Sequence, residues 1–337
     1  MKKVGIRDIA ARAGVSIATV SHALRNPGRV SEATRQKVLL AADKVGYTPN
    51  RLAASLRTAR SGNIVVIIPD VADSFNSGII RAIEKVAHSR GYSVLLGDTQ
   101  GSEEREREFA AMTRSRQADG IILLSHRFPF EPTRSKAALR DLPPIVNGCE
   151  FTGQQGVPVV GIDDEQAAVD ATMHLVGLGH RDIAVITGDM ASRSSRDRLA
   201  GFERAMQSAG LKVDPRRVLQ SEYKLQGGER GAQRLLLQKK RPSAVFCFSD
   251  EIAFGCMYAL RQNGFRVPAD ISVIGFDDIP LAHYFDPPLT TIAQPADAIG
   301  ATCASILFDL IEGRAPPEMR HILPHALLVR ASTRRLP

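Results

Sequence analysis

The chain has 337 residues, 44% of them apolar and 24% charged. That is too long for one average domain and ordinary in composition for a globular protein, so two or three compact units are expected. The net charge of +8 is unevenly placed: residues 1–60 hold 12 Lys/Arg against 3 Asp/Glu, and the remainder hold 32 against 33. A cationic front on a near-neutral body is the electrostatic pattern of a phosphate-binding head. No uninterrupted apolar stretch approaches the ~18 residues of a membrane span, and no apolar run follows Met1-Lys2-Lys3, so a cytoplasmic protein without signal peptide or membrane anchor is expected. The four cysteines, Cys149, Cys247, Cys256 and Cys303, form no C-x-x-C pair and stand at no zinc-finger spacing, which predicts reduced thiols.

The first stretch with a pattern is IRDIAARAGVSIATVSHALRN, Ile6 to Asn26. Ile6, Ile9, Ala10 and Ala13 share one helical face, and Gly14 offers a backbone free to adopt positive φ and end the helix. Ser16 can cap a second helix running to about Leu24, with Val20 and Leu24 inward and Ile17, Ala18, Ser21 and His22 outward. Two short helices joined by a tight turn predict a helix-turn-helix, whose second helix suits a DNA major groove. Asn26-Pro27-Gly28 makes a turn. Ser31 then caps a third helix from Glu32 to about Val45, with Val38, Leu39, Ala42 and Val45 facing in. NRLAASLR, residues 50–57, is too short to be a stable isolated helix in water. It reads either as a plain linker or as a hinge that folds on a partner.

From Ser61 short apolar runs alternate with amphipathic helices. Strands are predicted at Ser93–Leu96, Gly120–Leu124, Ile145–Asn147, Val159–Ile162, Ile183–Thr187, Ala244–Phe248 and Ser272–Phe276, after a first one from Asn63 to Ile68. Helices fall between them, near 76–90, 103–117, 165–178, 196–209, 228–239 and 251–263. A late helix at 296–312 follows a strand at Thr290-Thr291-Ile292. This alternation predicts parallel, doubly wound sheets, and so many strands suit two lobes with a cleft between them. The expected division is a helix-turn-helix head at 1–49, a hinge and linker at 50–60, and a body at 61–337. Within the body, one lobe takes about 61–161 and 294–320, the other about 162–293 and 321–337.

Helix-turn-helix, hinge and two-lobed body, in that order, resemble the LacI/GalR family of bacterial transcription repressors. The resemblance covers essentially the whole chain and rests on the head motif, NRLAASLR, RLAGF at 198–202, FSDEIAFG at 248–255, VIGFDD at 273–278 and PPLTTIAQP at 287–295. AVFCFSDEIAFG, DPPLTTIAQP, LSHRFPFE, LPPIVNGCEF and STRRLP look most like the cytidine repressor branch. The fold so implied is an all-α head on an α/β body similar to periplasmic binding proteins. The function implied is a DNA-binding regulator, repressor in type, that binds double-stranded DNA at a pseudo-palindromic operator under control of a small ligand. No leucine heptad follows the body, so a homodimer is expected.

By that resemblance Ile17, Ala18 and His22 reach base edges. The family usually carries Arg at position 22, where His22 offers a single ring nitrogen, so a non-standard half-site is expected. Ser16, Thr19, Ser21, Asn26 and Asn50 suit phosphate contacts. Leu56 matches the family's minor-groove wedge, and Ala53 lets two hinge helices approach. In the cleft the resemblance implies Asp277 as the ligand-binding acid and Arg198 as the ligand-holding base, the alternative being that the two form a structural ion pair. Tyr223 and Phe75 match aromatic positions, and Ser249 stands where some sugar-binding relatives carry Asn. Asp73, Glu150 and Ser194 are further contributors. The ligand expected is a nucleoside, with a pentose or other sugar as the alternative. No P-loop, G-x-G-x-x-G, G-x-S-x-G or metal-binding cluster is present in the sequence, so no catalytic residue, metal or cofactor is implied. A solute carrier of the periplasmic type is disfavoured by the basic head.

Overall fold

The computed structural model describes residues 5–25, 27–47 and 60–337. The chain separates into two units at Ser61–Gly62. In the first, α1 (Ile6–Ala13), α2 (Ile17–Arg25) and α3 (Glu32–Lys44) enclose a small core of Ile9, Ala13, Val20, Ala23, Val38, Ala41 and Ala42. Gly14 ends α1 at φ 62°, the left-handed conformation that costs a glycine nothing. The hydroxyl of Ser16 accepts from the Thr19 N–H at 3.0 Å, and that of Ser31 from the Thr34 N–H at 3.3 Å, so both capping expectations are met. One inward residue differs. Leu39 is 37% exposed, and Ala41 takes its place beside Val38 and Ala42. A helix turns about 100° per residue, so the neighbour of a buried Val38 faces out while the residue three further on faces in.

The second unit holds two six-stranded sheets. The first has the order β11-β5-β4-β3-β1-β2, every neighbouring pair parallel, formed by β1 (Asn63–Ile68), β2 (Ser93–Asp98), β3 (Ile121–Leu123), β4 (Ile145–Gly148), β5 (Val159–Gly161) and β11 (Arg320–Ile322). The second has the order β12-β10-β9-β8-β6-β7, formed by β6 (Ile183–Ile186), β7 (Val218–Leu219), β8 (Ala244–Cys247), β9 (Ser272–Asp277), β10 (Thr290–Ala293) and β12 (Ala326–Leu328). It is parallel except at its edge, where β12 runs antiparallel to β10. Alternate residues of β1 feed opposite faces: Ile64, Val66 and Ile68 join one core, Val65 and Ile67 another. Burial on both faces is why this strand reads as a continuous apolar run.

Of the body's helices, α4 (Ser74–Ser89), α5 (Glu103–Arg114) and the short α6 (Lys136–Arg140) belong with the first sheet. With the second belong α7 (Asp164–Gly177), α8 (Arg193–Ser208), α9 (Leu225–Leu236), α10 (Asp250–Gln262) and the one-turn α11 (Leu281–Tyr284). The late helix α12 (Ala296–Ile311) returns to the first sheet and lies against α4 and β4. The chain therefore crosses between lobes after Gly161, after Ala293 and after Ile322. The last crossing falls beyond the expected 320, because β11 pairs with β5 through Ile322. That strand is half exposed and three residues long, too short to give an apolar run. Between α9 and α10 the backbones touch through glycines: a Cβ on Gly228 would lie 1.9 Å from the Ile252 carbonyl oxygen, and one on Gly255 would lie 1.8 Å from that of Leu225.

Both sheets carry the same order in their first five strands, so each has a switch point: between β1 and β3 in one lobe, between β6 and β8 in the other. Ligands bind doubly wound sheets at the carboxyl ends of the strands flanking such points. Phe75 packs against the cores of both lobes, so the cleft closes over a shared apolar wall.

Candidate functional site

Two surfaces qualify, one in each unit. On the head, α2 presents Ile17, which is 50% exposed, with Ala18 exposed beside it and Thr19, Ser21 and His22 half-buried. Ser16, also exposed, commits its hydroxyl to the cap and stands 2.8 Å from that of Thr19. The helix thus offers two aliphatic groups, hydroxyls and one imidazole ring on its outer side. Asn26, Asn50, Ala53 and Leu56 lie outside the described residues.

In the body a chamber of about 100 Å³ sits between the lobes, lined by Pro69, Asp73, Phe75, Asn76, Leu124, Cys149, Glu150, Ser194, Arg198, Tyr223, Asp277 and Gln294. It adjoins a wider cleft of about 900 Å³, with which it shares Pro69, Asp73 and Tyr223. The chamber brings together seven of the eight expected ligand residues. Ser249 is the exception. Its hydroxyl caps α10, accepting from the Ile252 N–H at 3.2 Å, and the side chain is buried away from the chamber wall. A serine at a strand-to-helix turn satisfies the helix's own N–H groups first.

The strand ends explain the gathering. Pro69 and Asp73 follow β1, Leu124 follows β3, Cys149 and Glu150 follow β4, and Asp277 closes β9. Asp73 is the N-cap of α4: one oxygen accepts from the Phe75 N–H at 2.8 Å and the other from Asn76 Nδ2 at 3.1 Å. Burial raises its carboxyl above the ordinary range, opposed by the Phe75 N–H. Asp277 has φ 114° and Asp278 φ 58°, both in the region that disfavours side chains. Strain of this kind persists where the surroundings hold it, commonly at ligand sites. Gln294 Nε2 donates to Asp277 Oδ1 at 2.7 Å, and burial drives this carboxyl well above its usual range, with Arg198 opposing and Asp250 and Asp73 adding to it.

Arg198 is 6% exposed and its partner is Asp164, a residue the sequence reading did not single out. Nε donates to Asp164 Oδ1 at 2.8 Å, Nη1 donates to the Phe248 carbonyl at 2.6 Å, and the guanidinium carbon stands 3.6 Å from the centre of the Phe276 ring. Burial opposes the charge on Arg198, but Asp164 beside it holds the guanidinium above its ordinary value. Burial pushes Asp164 itself up to about 6 against the pull of Arg198. The alternative of a structural Arg198–Asp277 pair is replaced by an Arg198–Asp164 pair, with Asp277 held by Gln294.

Glu150 joins the lobes. From the end of β4 its Oε1 accepts from Ser192 Oγ at 2.6 Å and Ser194 Oγ at 2.7 Å, both at the start of α8 in the other lobe, while its buried Oε2 has no hydrogen-bond partner among the described residues. A second tie crosses at the mouth, where Lys224 Nζ stands 3.2 Å from Asp70 Oδ2. Tyr223 exchanges a 2.7 Å hydrogen bond with Ser195 Oγ, and burial raises its phenol. Its ring fills the space a side chain would take at Gly188, where a Cβ would fall 2.1 Å from the ring. The sequence reading also missed Ser192, Gln294 and Cys149. Asp164 and Gln294 each follow a predicted strand by two residues, a signal that was present but shared with ordinary turn residues.

Of the four cysteines, all free, three are buried, and Cys149 is partly exposed with its thiol raised by burial. Among the described residues no group of three or more His, Cys, Asp or Glu is placed to hold a metal ion, and no helix is long and apolar enough to cross a membrane.

A helix-turn-helix unit followed by a two-lobed cleft lined with convergent polar groups defines a DNA-binding regulator with a small-molecule chamber. Residues 5–50 match the model of bacterial regulatory proteins of the lacI family, and residues 172–333 that of the periplasmic binding protein-like domain. The chain is 40% identical to the HTH-type transcriptional repressor CytR of Escherichia coli (strain K12), over 98% of this chain and 97% of that one. It is 34% identical to the HTH-type transcriptional repressor PurR of Vibrio campbellii, over 98% and 99%. A solved lac repressor dimer bound to operator and the anti-inducer ONPF is similar over 99% of this chain and 100% of that one, with a TM-score of 0.84 and 29% identity. The chain belongs to the lacI family of bacterial regulatory proteins. It is a DNA-binding transcriptional regulator and not an enzyme.

Proposed function

We propose that this regulator acts as a repressor in the cytoplasm, that it binds a pseudo-palindromic operator as a homodimer, and that a nucleoside in the cleft controls its operator affinity. The observation that carries the ligand is the make-up of the chamber. Two aromatic side chains, Phe75 and Tyr223, share it with carboxylates at Asp73, Glu150 and Asp277 and with Arg198. Rings suit a planar base, and carboxylates accept from vicinal hydroxyls. The 40% identity to a protein named CytR supports the same reading. A free pentose is the second reading, because the carboxylates would serve its hydroxyls equally.

In the head, Ile17, Ala18 and His22 read base edges in this proposal. Ser16, Thr19, Ser21, Asn26 and Asn50 contact phosphates, and Ala53 and Leu56 form the hinge that wedges the minor groove. Control follows from linkage: the ligand bridges lobes that Glu150 and Lys224 already join, and a coupling of about 1–3 kcal/mol changes operator affinity 5- to 150-fold.

A thermal-shift screen of the full chain against nucleosides, free bases and pentoses tests the ligand. A nucleoside is expected to give the largest rise in Tm. A response to pentoses alone would select the second reading. Operator selection with His22→Arg is expected to change the preferred half-site, and an unchanged preference would remove this position from base reading.

A further inference from the structure

Resting on the place of Asp277 in the ligand site proposed above, we infer that Arg330 is a positioning residue for ligand recognition, holding from outside the chamber the strained turn that sets Asp277 in its wall. Asp277 and Asp278 stand at φ 114° and 58°, and among the described residues they are the only adjacent pair of non-glycine residues at positive φ. Crowding of Cβ disfavours that backbone, so such a turn relaxes unless its surroundings hold it. Asp277 lines the chamber and Asp278 does not. The Asp278 carboxylate instead meets Arg330, whose Nη2 donates to Oδ1 at 2.6 Å.

Arg330 is itself fixed. Its N–H donates to Thr290 Oγ1 at 2.9 Å and its Nη1 to the Leu289 carbonyl at 2.8 Å, at the start of β10, the strand beside β9. A guanidinium can serve a carbonyl and a carboxylate at once, because its N–H groups are fixed in a fork. On the far side of the turn, the Ile279 N–H donates to Asp250 Oδ2 at 2.9 Å, and Asp250 Oδ1 accepts from Thr291, also on β10. The turn therefore hangs between two brackets anchored on one strand, Arg330 at Asp278 and Asp250 at Ile279. Arg330 lines neither the chamber nor the wider cleft, so its effect on a ligand passes through the backbone of Asp278.

The test uses the full chain in calorimetric titrations with adenosine, cytidine, guanosine, uridine and ribose. Arg330→Met keeps the apolar stem and removes the tie, and it is expected to weaken binding about 10-fold as the turn relaxes. Arg330→Lys, which can serve one acceptor, is expected to recover part of that loss. The decisive pair is Asp278→Ala against Asp278→Gly. Both remove the ion pair, but only glycine adopts positive φ freely. Asp278→Ala is expected to weaken binding about 10-fold and Asp278→Gly no more than about 3-fold. Adding Asp278→Gly to Arg330→Met should restore affinity, and adding Asp278→Ala should not. An equal loss in the two Asp278 variants would overturn the inference, since Arg330 would then only balance a charge. Unchanged affinity in Arg330→Met would overturn it as well. If Arg330→Met does not fold, the Asp278 pair decides. If ribose binds and no nucleoside does, the nucleoside reading fails alone, and the same variants titrated with ribose decide this one. If nothing in the panel binds, both fall together.

Discussion

In the head, the side chains assigned to a partner lie outside the core. Ile17 and Ala18 stand on the exposed side of a helix whose other side buries Val20 and Ala23. In the body the order is reversed: Arg198 and Asp164 are buried as deeply as many core residues, and burial raises the carboxyls of Asp164, Asp73 and Asp277 above their ordinary values. The contrast follows from what each meets. A duplex is larger than the head and must be met on an outer surface, with charge supplied across the whole unit. A small molecule must be enclosed, and its polar groups need partners already desolvated and fixed. Recognition in the head should therefore be separable from folding residue by residue, whereas in the body the two should be coupled.

The sharpest attempt to break that contrast is Arg198→Met. It leaves Asp164 buried and unpaired, so a loss of about 3–5 kcal/mol in stability is expected, measured by urea denaturation of the body, together with loss of ligand binding. Adding Asp164→Asn should recover part of the stability and none of the binding. Recovery of both would mean that the pair is structural only. Ile9→Ala follows, with an expected cost of about 2–5 kcal/mol confined to the small head. Fluorescence anisotropy should show operator binding abolished while ligand titration is unchanged. A change in ligand affinity would mean that the two units do not fold separately.

A smaller effect is expected from Gly188→Ala. Its methyl would fall 2.1 Å from the Tyr223 ring, which must then move. Ligand affinity should drop roughly 10-fold, about 1.4 kcal/mol, with ligand-free operator binding preserved. The smallest concerns pH. Asp250, fully buried, accepts from Thr291 Oγ1 at 2.6 Å and from the Ile279 N–H at 2.9 Å, and burial pushes its carboxyl up to about 7 from an ordinary 3.8. The native state keeps this proton over the window between those values. Its contribution to stability is therefore full below the lower value and is lost as pH rises through about 7. His174 and His180, lowered by burial, act in the opposite direction, their contribution being full above 6.5 and lost below it as pH falls through their lowered values. The Tm difference between the natural protein and Asp250→Asn isolates the carboxyl. It should favour the natural protein more at pH about 5.5 than at about 8, and a difference independent of pH would remove the shift.

Periodicity determined most of the head: Ile9 with Ala13, Val20 with Leu24, and Val38 with Ala42 stand at helical spacing within their helices, Leu39 being the exception, and Ser16 and Ser31 announce the helix starts, because short helices depend on neighbours three and four residues away. The same local logic gave the parallel strands of the body as apolar runs. It did not give β7, which has two residues, or β11 and β12, which are largely exposed and so carry no buried apolar run. In the chamber, Asp277, Arg198, Glu150 and Tyr223 were legible through a family resemblance, but their partners were not. That Arg198 turns to Asp164, that Ser249 caps a helix, and that Glu150 reaches Ser192 and Ser194 across the cleft were decided by the tertiary structure. These contacts join residues brought together by the switch points of two sheets and by three crossings between lobes. Which hydrogen-bond partner a buried charge finds depends on geometry over many residues of separation, and no local pattern in the sequence encodes it.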